Sequence, residues 1–394
     1  FVRGALLAAA AARGLSDDAA QELAKSMEEV YKSVFASVNE DTLSGGLSNT
    51  IGGRICNFFD FHGGGYTVDG ACSSSLLAIC TAANLLHGGD LDMALAGGVD
   101  ISLDTFELIG FAKTGALSPD DMRVYDKRGN GFIPGEGCGF VVLKRLEDAR
   151  AAGDTVYAVL RGWGVSSDGK GGLTAPKREG QTTALRRAYE RAGYSPATLD
   201  FIEGHGTGTR VGDKVELEAI AAALDEAGVT TPRRVGVTSF KSLVGHTKAA
   251  AGVGAFIKAV IAANRRVLPP TAGCSQPNPV FESSALTLYP ILQGRIADPE
   301  GKLRVGVSAM GFGGINAHVT LESGDPPAAC LAPSVEERAL LAANREAELF
   351  VFAADSVEDL RDYLAGLADT AERLSQGELT DLAARLAEEI APVH

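Results

Sequence analysis

Apolar residues recur along this chain at two different spacings, and the alternation of the two predicts a layered α/β protein. Leu76, Leu77, Cys80, Ala83 and Leu86 return at helical spacing, so the segment that begins near Cys72 buries one face, and Gly88-Gly89 supplies its stop. Short continuous apolar runs predict strands at 94–99, 139–143, 156–160, 235–238, 305–308 and 318–321, with helices over 180–192, 214–226 and 247–264 among them. Strands that are apolar on both faces and alternate with helices belong to a largely buried sheet. Residues 1 to about 36 read as helices, 39–53 as a polar, glycine-containing loop, and a strand ending at Asp69 is expected to feed the Cys72 helix. Residues 139–146 and 316–323 each set an apolar strand behind a glycine-rich approach, a hint that the fold repeats in two halves.

Past Ser323 the texture changes to Gly-Asp-Pro-Pro and then to a charged, Ala/Leu-rich stretch, which places a boundary near 324–335. The tail reads as a linker or the start of another small unit, with Leu349-Phe350-Val351-Phe352 as its strand candidate. It holds too little apolar material to be a catalytic domain of its own.

With 394 residues and 45% hydrophobic content the chain can bury a large core, which excludes disorder throughout. A formal charge of −14 without a Lys/Arg-dense stripe argues against a general nucleic-acid binder and suits solubility. Six cysteines without a Cys-x-x-Cys pair make neither a disulfide scaffold nor a zinc or redox motif, and fit a reducing cytoplasm. Cys72 and Cys80 on one helix would stand roughly 12 Å apart, too far to bridge. No run is expected to approach the ~18 apolar residues of a membrane span. Residues 5–12 behind Arg3 superficially resemble a signal-peptide core, but Arg13 interrupts them and an amphipathic acidic helix follows. A cytoplasmic protein outside the membrane is the expectation.

The chemistry centres on Cys72, in Tyr66-Thr67-Val68-Asp69-Gly70-Ala71-Cys72-Ser73-Ser74-Ser75, where small turn residues set a thiol at the start of a helix. Backbone N–H groups there should lower its pKa and favour the thiolate. Glu203-Gly204-His205-Gly206-Thr207-Gly208-Thr209 and Lys241-Ser242-Leu243-Val244-Gly245-His246-Thr247-Lys248 each bring a histidine among glycines behind a short apolar stretch. Taken singly, such a cysteine is usually a small buried hydrophobe, and such histidines usually sit in satisfied turns. No local ligand pair nucleates a metal site, and neither GxGxxG nor GxxxxGK[ST] occurs in the context a nucleotide needs. Cys56, Cys80, Cys138, Cys274 and Cys330 are expected to be buried or surface cysteines without a role.

In order along the chain, VDGACSSS, EGHGTGT, KSLVGHTKAAAG and GVSAMGFGGINAHV resemble the β-ketoacyl-acyl carrier protein synthase (ketosynthase) domain of type I polyketide synthases, in the thiolase superfamily. MALAGGVD, RVYDKRGNGFIPGEGCGFVVLKRLEDA and VLPPT add to the likeness. Gly70 stands where modular synthases usually have Thr, and RVYDKRGNGFIPGEG resembles iterative systems, the polyunsaturated fatty acid, enediyne and glycolipid-type synthases.

The resemblance implies a thiolase-like, layered α-β-α-β-α fold of two duplicated halves over residues 1–323, followed over 324–394 by the start of a linker toward an acyltransferase domain. The segment before Cys72 is shorter than such domains carry, so their first strands are expected to be absent. The implied activity is decarboxylative Claisen condensation of a Cys-bound acyl chain with a malonyl carrier thioester in polyketide or fatty-acid chain extension. Cys72 would be the nucleophile, and His205 and His246 the donors to the enolate oxygen, with His246 also assisting decarboxylation. Lys241 would organise the histidines, and Thr207 and Thr209 would bind the pantetheine arm. The backbone N–H groups of Cys72 and Phe312 would form the oxyanion hole, with Gly311 and Gly313 permitting close approach and the Phe312 side chain gating. From the residues themselves, His318 beside a strand candidate reads as structural, Glu136 in Pro134-Gly135-Glu136-Gly137 as a carboxylate that is structural or supports a site residue, and Asn316 as a residue that helps position the oxyanion loop.

No metal and no cofactor beyond the carrier's phosphopantetheine is implied. The partners would be an acyl carrier protein, a second copy in a homodimer and an adjacent acyltransferase domain, with no nucleic acid and no membrane. Arg186, Arg187, Arg191, Arg265 and Arg266 are candidates for carrier docking. A non-catalytic or decarboxylase-only partner domain is the alternative within the family, and a Cys-His hydrolase the alternative from the nucleophile alone.

Overall fold

The computed structural model describes residues 2–35, 37–170, 175–227, 234–284, 287–297, 301–324, 349–354, 356–371, 379, 382–383 and 385–387. Four helices open it: α1 (Val2–Ala12), α2 (Asp17–Ser33), α3 (Glu40–Gly46) and α4 (Asn49–Phe59). The first two pack together and bury Ala10, Ala20 and Ala24. The third and fourth replace the loop expected over 39–53. Asn39 and Thr42 form a reciprocal capping box, which satisfies the first free N–H groups and starts a helix in spite of the glycines. The strand expected up to Asp69 does not form: residues 64–70 run without strand pairing into a 3-10 turn, Ala71–Ser73, that opens α5 (Ser74–Gly88).

The chain continues through β1 (Met93–Asp100), α6 (Thr105–Lys113), β2 (Gly137–Lys144), α7 (Leu146–Ala152), β3 (Ala158–Ser167), α8 (Arg178–Ala192), β4 (Phe201–Glu203), α9 (Arg210–Glu226) and β5 (Val235–Thr238). It goes on with α10 (Lys241–Val244), α11 (Ala251–Arg265), β6 (Val267–Leu268), α12 (Val280–Ser283), β7 (Leu288–Pro290), β8 (Arg295–Ile296), β9 (Arg304–Gly311) and β10 (Ile315–Ser323). Helix α13 (Val357–Ala371) lies in the tail. Among the described residues, Leu349 to Phe352 form no strand. The boundary expected near 324–335 and Cys330 fall outside the described residues, apart from Gly324.

Six strands form the main sheet, in the order β3-β10-β9-β4-β5-β7. β10 runs antiparallel to β3 and β9, whereas β4 is parallel to β9 and β5, and β5 to β7. β1 and β2 make a separate antiparallel pair, as do β6 and β8. The two halves repeat a motif, a reactive loop followed by a helix and an antiparallel strand pair, on unequal sheets of two and six strands. α5 and α11 lie between those sheets, and α8 and α9 cover the far face of the larger one.

Leu76, Ile79, Val253, Phe256 and Ala259 from the helix pair meet Val305, Val307, Val319 and Leu321. Burial of each large side chain contributes about 1.5–3 kcal/mol. A second core joins Leu185, Leu217, Ile220 and Leu224 to Ile202 and Val237. β3 outruns the strand expected over 156–160 because Gly162 and Gly164 belong to it. A Cβ at either would fall 2.1 Å from a carbonyl oxygen of α8, so their small size is what lets that helix lie against the strand.

Contrary to the sequence expectation, one segment, Ala71–Gly88, is long and apolar enough by length and composition to cross a membrane. Half of it is buried, and Leu76 and Ile79 lie fully inside the core, as in the central helix of a packed domain.

Candidate active site

Cys72 sits in the 3-10 turn ahead of α5, not on the helix itself. Ala71 has φ +50°, a left-handed conformation that costs a non-glycine residue about 1–3 kcal/mol. Local bonds hold it there. Asp69 Oδ1 accepts from the Ala71 N–H at 2.8 Å, Ser73 Oγ donates to the Gly70 carbonyl at 2.8 Å, and Ser74 Oγ donates to the Ala71 carbonyl at 2.7 Å. Burial pushes the thiol pKa up, against the pull of the Lys241 charge and the backbone N–H groups of Phe312 and Cys72 itself. The lowered pKa expected from a helix N-terminus is therefore overturned: desolvation in this turn outweighs the local dipoles.

The loop after β9 lies on this turn. A Cβ at Gly311 would stand 2.0 Å from the Gly70 carbonyl oxygen, so the contact requires glycine. Gly313 and Gly314 take φ values of +103° and +86°, and Phe312 between them and Gly311 is 52% exposed. Asn316 Nδ2 donates to Asp168 Oδ1 at 2.8 Å and the Asp168 N–H donates to the Gly314 carbonyl at 2.8 Å, which anchors the loop from β3.

His205 follows β4 on a loop gathered by two buried carboxylates of α9. Glu216 accepts the N–H of His205 at 2.6 Å, the N–H of Gly206 at 2.9 Å and the Tyr125 hydroxyl at 2.9 Å. Asp213 accepts the N–H groups of Thr207, Gly208 and Tyr125 at 2.9, 3.0 and 2.7 Å. Lys241, buried at the start of α10, donates to the His205 carbonyl at 2.5 Å and lies 3.3 Å from its Nδ1. Burial lowers the Lys241 pKa, although Cys72, Glu216 and Glu203 draw it the other way. Thr207 and Thr209 join hydroxyls at 2.8 Å.

The Met310 N–H donates to Nδ1 of His205 at 3.2 Å, and the Lys248 N–H to Nδ1 of His246 at 3.1 Å. A ring nitrogen that accepts from an amide carries no proton, so each neutral imidazole bears its hydrogen on Nε2. Burial, followed by the charge of Lys241, holds both well below the usual histidine range. The two rings stand edge-to-face with centroids 5.6 Å apart, and the Phe132 ring packs against His246 at 5.0 Å. His246 is also held by its N–H to the Ile133 carbonyl at 2.7 Å. The site thus offers a thiol, two preset N–H donors and a buried ammonium that is bonded to the His205 carbonyl and whose charge is felt by Cys72 and His246.

Two halves of one family description match the chain: "Beta-ketoacyl synthase, N-terminal domain" over residues 4–149 and "Beta-ketoacyl synthase, C-terminal domain" over 157–275.

The chain belongs to the β-ketoacyl synthase family.

One of the polyunsaturated fatty acid synthase subunits of Thraustochytrium sp. is 38% identical over 84% of this chain and 12% of its own length. One of the phenolphthiocerol/phthiocerol polyketide synthase subunits of Mycobacterium tuberculosis is 41% identical over 74% of this chain and 16% of its own. Among solved structures, the ketosynthase from module 6 of the bacillaene synthase of Bacillus subtilis 168 superposes with a TM-score of 0.69 at 33% identity, covering 89% of this chain and 60% of that one. The fold is thus the layered one of the ketosynthases, and this ketosynthase chain spans a small part of the synthase subunits it matches.

Several supporting residues escaped the sequence reading. Asp213 and Glu216, three apart on the helix after the His205 loop, had a signal in that spacing. Tyr125, Phe132 and Asp168 had none, because they reach the site only through the fold. His318, as expected, is structural: it lies between the Tyr189 hydroxyl and Ser308 Oγ, both at 2.8 Å, and burial pushes it down to about 3. Glu136 accepts the Leu103 N–H at 3.0 Å. Cys80 and Cys274 are buried thiols pushed up to about 12, while Cys56 is half-buried and Cys138 exposed. Among the described residues no group of three or more His, Cys, Asp or Glu is disposed to hold a metal. Of the five arginines considered for docking, Arg266 is buried at 2% exposure, which removes it, and Arg191 lies over the Trp163 ring at 4.5 Å.

Proposed function

We propose that this ketosynthase domain extends an acyl chain by decarboxylative Claisen condensation. The Cys72 thiol gives up its proton as its sulfur attacks a carrier-bound acyl thioester, the tetrahedral oxyanion is received by the N–H groups of Cys72 and Phe312, and the bond to the carrier sulfur breaks so that the carrier leaves as a thiol bearing the proton that Cys72 lost. Each such donor is worth roughly 3 kcal/mol in the transition state. A malonyl thioester then loses CO₂, and the electrons of the broken C–C bond form an enolate whose oxygen is met by the Nε2–H groups of His205 and His246. Its carbon attacks the acyl-Cys72 carbonyl, Cys72 departs as thiolate, and a β-ketoacyl product two carbons longer remains on the carrier.

The observation that carries this reading is the pairing of two neutral histidines, each with Nδ1 taken by a backbone N–H, next to a cysteine within the influence of Lys241. A hydrolase needs one histidine that accepts the nucleophile's proton, whereas two donors suit an enolate. Thr207 and Thr209 would bind the pantetheine arm, and the exposed Phe312 ring would gate the two half-reactions. No cofactor beyond the carrier's phosphopantetheine is called for. An acyl carrier protein, a homodimer partner and an acyltransferase domain reached through a linker over 324–394 fit the large synthase subunits among the relatives, and a cytoplasmic location fits the chemistry.

Intact and peptide mass spectrometry after incubation with an acyl thioester tests the assignment, with Cys72→Ala beside it. An acyl mass on the Cys72 peptide alone supports the reading. A folded protein that takes no acyl group favours the non-catalytic partner domain instead.

A further inference from the structure

Beside the histidine pair lies a buried ion cluster that the condensation chemistry does not use. Lys248 Nζ stands 2.8 Å from Glu107 Oε2 and 3.2 Å from Asp100 Oδ1, with the lysine side chain 5% exposed. Asp100 ends β1 and Glu107 belongs to the first turns of α6, so the cluster ties two elements of the first half to the His246 loop of the second. Ser102 Oγ lies between the carboxylates, 2.6 Å from Asp100 Oδ1 and 2.9 Å from Glu107 Oε2. The other oxygen of Asp100 accepts the Ala249 N–H at 3.1 Å. Burial alone would lower the Lys248 pKa, but the two carboxylates raise it, which keeps the ammonium charged.

The backbone of the same lysine makes the contact that matters for the site. Its N–H is the group that donates to His246 Nδ1, and it does so from φ +46°, a conformation a residue with a side chain holds only when its surroundings impose it. Asp100 and Glu107 grip that side chain, and Asp100 also grips the next N–H. We propose that Lys248, through its anchorage to Asp100 and Glu107, is a positioning residue that holds His246 in the Nε2–H tautomer and orientation needed for malonyl decarboxylation. This rests on the condensing function above for its consequence, though not for its geometry. A lysine here acts through its chain direction and not as a proton donor to substrate, so the two half-reactions should respond unequally when it is lost.

The test uses the full chain labelled with ¹⁵N on histidine, with Lys248→Met and Lys248→Arg beside it. The unaltered chain should show His246 as the neutral Nε2–H tautomer. Lys248→Met should mix the tautomers and lower kcat for malonyl-thioester decarboxylation about tenfold or more with KM little changed, while Cys72 acylation is little changed. Lys248→Arg, which keeps the charge and reach, should restore most of the rate. A single tautomer and an undiminished rate in folded Lys248→Met overturn the proposal, and so does an equal fall of both half-reactions. Should Lys248→Met not fold, Glu107→Gln at the more exposed edge of the cluster gives the same two readouts, and unchanged values there overturn it. If the unaltered chain neither acylates nor decarboxylates, the condensing function fails, and the tautomer of His246 still decides the role of Lys248.

Discussion

His205 and His246 stand edge-to-face, ring centroids 5.6 Å apart and planes at 85°, and each gives up its Nδ1 to a backbone N–H from outside its own loop or from two residues on. The pairing leaves two Nε2–H donors and no ring acceptor. Such a pair stabilises a developing oxyanion better than it removes a proton.

Replacing the nucleophile and one donor should therefore separate the half-reactions. Cys72→Ala is expected to abolish acylation yet leave malonyl decarboxylation, whereas His246→Ala should reduce decarboxylation by about 10²–10³-fold, the loss typical of one oxyanion donor. Acyl mass on the Cys72 peptide and CO₂ release measure the two. Condensation that survives either change would remove the roles given to these residues.

Glu216 gathers three buried donors at once. Glu216→Ala would strand two backbone N–H groups and the Tyr125 hydroxyl in the interior, each at about 1–3 kcal/mol, for a total of roughly 3 kcal/mol or more. A urea midpoint well below that of the unaltered chain is the expected result, with Glu216→Gln less affected. An unshifted midpoint for the alanine variant would mean the loop holds without its carboxylate.

Stability should fall on acidification from neutral pH, and the buried histidines set the sign. Their folded pKa values lie below the unfolded one, to about 3 for His318, so the unfolded chain binds protons that the folded chain cannot. The imidazole contribution is intact above about pH 6.5 and is lost as pH drops toward 3, each imidazole withdrawing up to about 1.4 kcal/mol per pH unit, while Asp213, pushed up to about 7 by burial, and Glu216, raised for the same reason, take up protons in the folded chain and offset part of that loss. Denaturant midpoints at pH 7.5 and 5.5 test this, and His318→Asn should make the slope shallower by about one proton. An equal slope in that variant would show that His318 protonates in the folded state.

Two glycines at the nucleophile should differ in what they tolerate. At Gly311 an added Cβ meets a backbone oxygen at 2.0 Å, whereas at Gly70 it meets the tip of Leu77 at 2.3 Å, an atom that can swing aside. Gly311→Ala is expected to displace the oxyanion loop and suppress Cys72 acylation. Gly70→Ala should cost about 1–3 kcal/mol of stability, with recovery when Leu77→Ala is added. Thermal melts and acylation rates on the three variants decide the matter, and equal behaviour of both single variants would contradict the packing.

Determined by sequence alone were the strands and helices whose periodicity lies within a short window, the helix behind Cys72 among them, and the order of motifs that singled out Cys72, His205, His246, Lys241 and Phe312. Capping at Asn39 is also local, but the glycines over 45–53 outweigh it in the pattern, which predicts a loop where two helices form. What the fold decided is the electrical state of the site. The direction of the Cys72 pKa reversed because burial is set by the packing of the turn and not by its position before a helix. The tautomer of His205 depends on Met310, 105 residues away, and the grip on Lys248 depends on Glu107, 141 residues away. Partners at such distances leave no mark in local spacing, because desolvation and hydrogen bonding act through space and the chain must be folded before either exists.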